Sequence, residues 1–343
     1  MVINRALFNN MLKKVSKCGT SKTLEITQYY HLTGDEEGFS VTATDSNNYI
    51  TVSTKEVTGN FEAIIKADQI CKLIDKLTTE TVEINIMEDH LQVIGNGTYK
   101  VELLTEEEYL VPPSVQGTEI NVFTADLKSI GTVNKSAVAV DSTDGALTGY
   151  YVCDTGTVST DRIRVCFNER FKAPQGRAVL LTKEMVSLIQ GIDEEKVTVD
   201  ISPNMVSVKS DKCFIVGPTQ VGIEGYPQVA VMKDKVYPFE VELDKSSMLS
   251  AIDRLMIFLD VFDNGEMIVN IGGGSVQMST YKGSYEEVPC NNVPEEYEFV
   301  INGNYFKELI SVVVGDKFKL NYGDEETIKI VQGATTSVLS LCE

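Results

Sequence analysis

The stretch Lys66–Ile86, KADQICKLIDKLTTETVEINI, sets a helical apolar spacing directly before a two-residue alternation. Ile70, Leu73 and Ile74 fall on one helix face, and Val82, Ile84 and Ile86 fall on one strand face. Nearly the same phrase returns at Thr182–Ile201, TKEMVSLIQGIDEEKVTVDI, and at Asn302–Tyr322, NGNYFKELISVVVGDKFKLNY. A shift of 115 residues carries the six positions onto Met185, Leu188, Ile189, Val197, Val199 and Ile201. A further shift of 121 carries them onto Phe306, Leu309, Ile310, Phe318, Leu320 and Tyr322. Every matched position is apolar in all three copies, so the phrase is a repeated structural unit.

Another helix recurs earlier in each unit. Asn4, Thr124 and Asp244, 120 residues apart, are expected N-caps, each preceded by a bulky apolar residue (Ile3, Phe123, Leu243). Phe8, Met11, Leu12 and Val15 mark one face of the first helix, and Met248, Ile252, Leu255 and Leu259 mark that of the third. The middle one, TADLKSIGTVNKSAVAV, is less regular and carries Gly131. Between the helices lie short alternating runs such as GFSVTATD, GTVSTDRIRVCFN and FLDVFDNGEMIVNIGGGSVQMSTYKG. The expected architecture is α+β: three repeated domains, 1–113, 114–234 and 235–343, each with two helices backed by antiparallel strands. TEEEYLVPPSVQGTE and GYPQVAVMKDKVYPFE, interrupted by Pro, read as the joining segments.

Composition narrows the function classes. Seven cysteines, scattered singly and without a Cys-x-x-Cys pair, fit reduced thiols and not a disulfide framework or zinc site. Two isolated histidines, His31 and His90, exclude a Ser-His-Asp or histidine-based metal constellation. GTSKT lacks the full phosphate loop, and IGGGS at 271–275 reads as a hairpin turn. DSTDG at 141–145 is not a calcium loop, and TEEEY at 105–109 reads as a solvated linker. The expectation is therefore no enzyme, no metal and no cofactor. No stretch approaches the roughly 20 apolar residues of a membrane helix, and the first residues lack a secretory apolar region, which predicts a cytoplasmic protein with no membrane partner.

A net charge of −20 argues against a general nucleic-acid binder, but its distribution is uneven. Residues 4–18 hold Arg5, Lys13, Lys14 and Lys17 and no acid. The other helical segments supply Lys66, Lys72, Lys76, Lys128, Lys135, Lys183, Lys245, Arg254 and Lys307, partly balanced by acids. The helices are the basic part of an acidic chain, and the resemblance drawn next implies that those thirteen cations face duplex DNA.

The ordered phrases VINRALFNNMLKKV, TATDSNNYITVS and IIKADQICKLIDKL…VEINI…HLQVIGNGTYKVELL, with GALTGYY, STDRIRV and EGYPQV, resemble the bacterial DNA sliding clamp, the beta subunit of the replicative polymerase, over the whole chain. The resemblance implies two three-domain subunits joined head to tail into a ring, a homodimer whose helices face a central hole. Twelve helices about 10 Å wide give a ring roughly 38 Å across their axes, with a hole of roughly 28 Å, enough for double-stranded DNA. It also implies replicative polymerase and a clamp loader as partners. An apolar client groove between the second and third domains is carried over to Leu147, Thr160, Arg162, Arg164, Val165, Pro227, Val338 and Leu339. Subunit contact is carried over to an edge strand with Val101 and Leu103, meeting strands around Ile268–Met278. Two departures stand out: Arg162-Ile163 replaces the family's Gly-His, and the chain ends in LSLCE instead of Met-Pro-Met-Arg-Leu. With the shorter chain, they suit a clamp encoded by a phage or other mobile element. The alternative reading is an acidic clamp-like scaffold or decoy that binds replication proteins without encircling DNA.

Overall fold

The six expected helical segments all form, each with its apolar face turned inward. In the computed structural model, which describes residues 1–21, 23–105, 108–259, 264–291 and 296–342, the helices are α1 (Arg5–Val15), α2 (Ala67–Lys76), α3 (Thr124–Val133), α4 (Lys183–Ile189), α5 (Ala230–Asp234), α6 (Lys245–Met256) and α7 (Gly303–Ser311). Asn4 starts α1 by accepting from the Leu7 N–H at 3.0 Å, and Asp244 starts α6 by accepting from the Ser247 N–H at 2.7 Å. Thr182 and Asn302 do the same for α4 and α7, each at 3.1 Å. Thr124 departs from the expectation. It is the first residue of α3, and its buried hydroxyl has no hydrogen-bond partner among the described residues.

The predicted helix 124–138 also stops early, at Val133, and continues as a 3₁₀ turn over Asn134–Ala137. The reason is Asn134, whose buried amide donates to the Thr157 and Cys166 carbonyls at 3.2 and 3.1 Å. These bonds fasten the chain to the strands beneath and draw it out of the helical path.

The described residues divide into two compact units, 1–128 with 181–220 and 129–180 with 221–343. The middle third of the chain thus contributes to both units, whereas the sequence repeats suggest three segments of similar size. The first unit is built on a twelve-stranded antiparallel sheet. Within it the strand Tyr49–Thr54 pairs with Cys213–Pro218, placing Ile50 opposite Ile215. The second unit holds an eight-stranded and a four-stranded sheet. There Arg164–Asn168 pairs with Thr335–Ser340, placing Val165 opposite Val338.

The repeated phrase sits as expected. Ile70, Ile74, Val82 and Ile84 are buried, as are all six matched positions of the second and third copies. Each large side chain so buried contributes roughly 1.5–3 kcal/mol. Leu73 is only half-buried, and Ile86, at the strand end, is exposed. The IGGGS segment is a hairpin turn whose Gly273 and Gly274 take φ of 59° and 86°, the left-handed pair such a turn demands. TEEEY is not simply solvated: Tyr109 is buried and its hydroxyl donates to the Tyr29 carbonyl at 3.0 Å. Glu106 and Glu107 of that segment, and residues 260–263 of the expected strand run FLDVFDNGEMIV, lie outside the described residues.

Candidate functional site

The basic helices come first. On α1, Phe8, Met11, Leu12 and Val15 face inward, which leaves Lys13 on the opposite side, and Lys17 follows just beyond the helix. Lys13 and Lys14 lie in the last turn, where the helix dipole favours cations. Several candidate cations are held by carboxylates. Lys13 meets Asp75 at 3.1 Å and Lys14 meets Asp193 at 2.8 Å, and those hydrogen bonds keep both carboxyls below the usual range. Lys72 pairs with Asp68 one turn before it at 2.9 Å. Lys66 is half-buried, 4.3 Å over the Tyr29 ring and 3.3 Å from the Gln28 amide oxygen. Arg5, Lys17 and Lys76 pair with no carboxylate among the described residues, and Lys17 and Lys76 are exposed. Lys128 and Lys183 are half-buried, and Lys135 is exposed on the 3₁₀ turn.

The second unit treats its cations differently. Lys245, a candidate for DNA, instead donates to the Ser311 and Val313 carbonyls at 2.9 and 2.6 Å, closing the C-terminal end of α7. Arg254 forms a two-pronged pair with Glu286 at 2.7 and 2.6 Å, and Lys307 pairs with Asp253 at 2.6 Å. The sequence count of lysines and arginines could not see these partners, because most lie far away along the chain.

The eight groove candidates all fall in the second unit, but not on one surface. Leu147, Val165 and Val338 join Val158, Phe167 and Tyr226 in one apolar cluster, with half-buried Ile223, Val229 and Met232 packed against it. Leu339 does not join. Strand alternation turns it to the other face, into the core with Val241 and Phe318. Thr160 is a staple: its hydroxyl donates to the Arg164 carbonyl at 2.6 Å and accepts from the Arg162 N–H at 3.1 Å. Pro227 is exposed and lines a cavity of about 270 Å³ together with Tyr151, Tyr226 and Val229. Sequence reading missed Tyr226, although it stands beside Pro227 in EGYPQV. Its ring stacks on Tyr151 at 4.9 Å, its hydroxyl donates to the Val158 carbonyl at 3.1 Å, and burial raises its pKa.

Arg164 is buried at the turn. It binds Asp161 at 2.8–2.9 Å and Glu308 of α7, and its guanidinium lies 4.1 Å over the Tyr305 ring. Two residues earlier, Arg162 takes φ of 76°, the left-handed region that glycine occupies freely. The family's glycine at this place is therefore intelligible, and arginine holds the same backbone at a cost of roughly 1–2 kcal/mol. Its guanidinium reaches Asp144 at 2.8 Å.

The expected subunit contact falls on a strand paired only in part along its second side. Val101 and Leu103 lie on the strand Thr98–Leu104: His90–Ile94 pairs along it on one side, and on the other Phe61–Lys66 meets Leu103 and Leu104, which leaves Thr98–Glu102, with Val101, at an edge. Val101 is 2% exposed, a core residue, and Leu103 is half-buried. Residues 268–278 belong to strands inside the four-stranded sheet. Two of the strand edges bear on this contact. Among the described residues Thr98–Glu102 has no strand on the side away from His90–Ile94, although the Glu102 N–H there is taken by the Gln69 side chain at 2.9 Å. Tyr285–Pro289 ends the four-stranded sheet, packed along α6.

Comparison with known proteins places this arrangement. Residues 1–113 match the family described as DNA polymerase III beta subunit, N-terminal domain. The Beta sliding clamp of Mycoplasmopsis pulmonis is 22% identical over 303 residues, covering 78% of this chain and 77% of that protein. The DNA polymerase sliding clamp from Bacillus subtilis superposes with a TM-score of 0.88 at 18% identity, covering 100% of this chain and 98% of that one. The DNA polymerase III beta subunit from Thermotoga maritima gives 0.86 at 15% identity, covering 100% and 98%. The fold is that of the sliding clamps, three repeated α+β domains. Its first 113 residues match the DNA polymerase III beta subunit family, and the whole chain shares the fold of the bacterial sliding clamps. Among the described residues, no helix is long and apolar enough to cross a membrane.

Proposed function

We propose that this chain is a DNA polymerase processivity factor, a head-to-tail homodimeric ring that encircles duplex DNA, slides without sequence preference and tethers the replicative polymerase. The observation that carries the reading is the basic face of α1 on a clamp fold whose total charge is −20. Lysines and arginines that meet phosphates carry no base information, so they attract a duplex without fixing it in one register. An acidic remainder disfavours binding elsewhere on the surface. A closed ring cannot thread onto circular DNA, so a clamp loader is the partner that opens it.

The ring closes, on this reading, where exposed apolar side chains flank the free strand edges. Ile257 and Phe258, just beyond α6, are 76% and 55% exposed. Tyr285 is exposed on the neighbouring edge strand, and Tyr99 is exposed on Thr98–Leu104. Antiparallel pairing of Tyr285–Pro289 of one subunit with Thr98–Glu102 of the next extends both sheets and covers these side chains. Exposed Lys100 on one edge and exposed Glu287 on the other add charge complementarity.

Electron microscopy at micromolar concentration tests both points. Six-lobed closed rings are expected from the wild-type chain, and folded crescents of half the mass from the Ile257→Asp, Phe258→Asp variant. Compact particles without a hole contradict the ring. Rings that survive the double substitution relocate the interface.

A further inference from the structure

Two strand edges of this chain are open over a short stretch and closed at one end. In Thr98–Leu104, Tyr99 and Val101 turn their backbone groups to His90–Ile94, which leaves those of Thr98, Lys100 and Glu102 facing away. The Glu102 N–H is held by the Gln69 side-chain oxygen of α2 at 2.9 Å, and from Leu103 onward Phe61–Lys66 takes up the pairing. In Tyr285–Pro289, Glu286 and Val288 turn toward Ser275–Ser279, as does Cys290, whose N–H donates to the Gly274 carbonyl at 2.8 Å. Tyr285, Glu287 and Pro289 therefore face the other way, where no strand lies among the described residues, and Pro289 has no N–H to give. Each edge thus offers two residues with both donor and acceptor open, and stops at a third that cannot donate. Thr98, Lys100, Tyr285 and Glu287 all carry exposed side chains. Antiparallel pairing between two copies consequently sets the buried Val101 and Val288 on one face of the joined sheet.

A slip of one residue exchanges the two faces, but a slip of two leaves every face unchanged, so burial alone does not choose the register. With Thr98 opposite Glu287 and Lys100 opposite Tyr285, both pairs bond in both directions. A two-residue slip that sets Lys100 opposite Glu287 makes Thr98 face Pro289 and Tyr285 face Glu102. Two carbonyls then meet no donor inside the contact, one because proline has no N–H and one because Gln69 already holds the Glu102 N–H. The opposite slip runs Lys100 against Gly283, whose N–H is closed on the Thr280 carbonyl at 3.0 Å. We propose that Gln69 and Pro289 are register stops for the contact between two copies of this chain, holding Thr98 opposite Glu287 and Lys100 opposite Tyr285. The inference rests on the ring closure proposed above. Lys100 then lies diagonal to Glu287, a spacing that long side chains span. Gln69 acts here as a positioning residue, since freeing the Glu102 N–H adds a bond to the slipped register alone.

The test is cysteine cross-linking of the full chain under a mild oxidant. Covalent dimer is read on non-reducing gels, and the joined peptides are identified by mass spectrometry. Directly opposite residues of a bonded antiparallel pair stand about 5.5 Å apart at Cα, within disulfide range. Thr98→Cys with Glu287→Cys reports the proposed register, and Lys100→Cys with Glu287→Cys reports the slipped one. The first pair is expected to join about fivefold faster than the second. Gln69→Leu is expected to abolish that advantage by freeing the Glu102 N–H. Gln69→Glu keeps an acceptor oxygen and is expected to retain it. Equal or faster joining of the slipped pair with Gln69 in place, or a ratio that Gln69→Leu leaves unchanged, overturns the inference while leaving the contact intact. If neither pair joins, the ring closure itself falls and takes the inference with it.

Discussion

The α1–α2 pair and the α6–α7 pair are the same device dressed in different charge. Each packs two helices by an apolar face and starts from a side-chain cap, Asn4 in one and Asp244 in the other. In the first pair Arg5, Lys13 and Lys14 stand on α1 with no acid on that helix, and Lys17 follows it. In the second pair every candidate cation already serves the fold, since Lys245 closes α7, Arg254 holds Glu286 and Lys307 holds Asp253. A common scaffold therefore does not imply a common share in binding DNA. On the proposed reading the first pair meets phosphates through Arg5, Lys17 and Lys76, and the second holds itself together.

Charge reversal should separate the two most widely. Arg5→Glu, Lys17→Glu and Lys76→Glu together are expected to lower association with linear duplex by at least tenfold at low salt and to flatten its salt dependence. Arg254→Gln with Lys307→Gln is expected to change it less than twofold. Association rates by stopped-flow fluorescence decide it, and equal losses for both sets erase the distinction.

Stability should show the reverse order. Lys245→Met removes the bonds to the Ser311 and Val313 carbonyls and is expected to cost about 1–2 kcal/mol in urea unfolding. Lys13→Met breaks an exposed pair and is expected to cost less than about 0.5 kcal/mol. If Lys13→Met proves the costlier, the division of labour is wrong. At the groove, Arg162→Gly relieves the left-handed backbone and is expected to gain roughly 1 kcal/mol, less the modest Asp144 pair.

The smallest difference lies in the caps. The Ser246 and Ser247 hydroxyls and the Ser247 N–H hold the Asp244 carboxyl down at about 2, from an ordinary 3.8. A depressed folded pKa means that the cap's contribution is complete above about pH 4 and is lost as pH falls through about 2. Asn4 does not titrate. Amide exchange in the first turn of α6 should therefore quicken between pH 4 and 2 relative to that of α1, after correction for intrinsic rates, and Asp244→Asn should remove the difference.

What the chain announced, and what it hid, follows from the range of the forces involved. The repeated phrase was readable because helix and strand periods act over a few residues, and Ile70, Met185 and Phe306 are all buried as that pattern requires. The end of α3 was not, because Asn134 is drawn to Thr157 and Cys166, more than twenty residues away. The charge on the helices was countable but its partners were not: Asp193 reaches Lys14 across most of two repeats. In the apolar cluster, membership of Val338 and exclusion of Leu339 rests on strand alternation against a register that pairs Val165 with Val338, a fact of the folded sheet. That Val101, expected at the subunit edge, turns its side chain into the core was hidden for the same reason, since burial is decided by neighbours across the sheet.

The central claim is topological, and the most direct test is retention of labelled protein on linear duplex whose ends are blocked after loading. The protein is allowed to thread onto biotin-ended DNA, streptavidin is added, and retention is followed in 1 M NaCl. A ring predicts retention that survives the salt and vanishes when a restriction enzyme cuts the duplex. Release by salt alone, with the ends still blocked, means that the protein holds DNA by contact and does not encircle it.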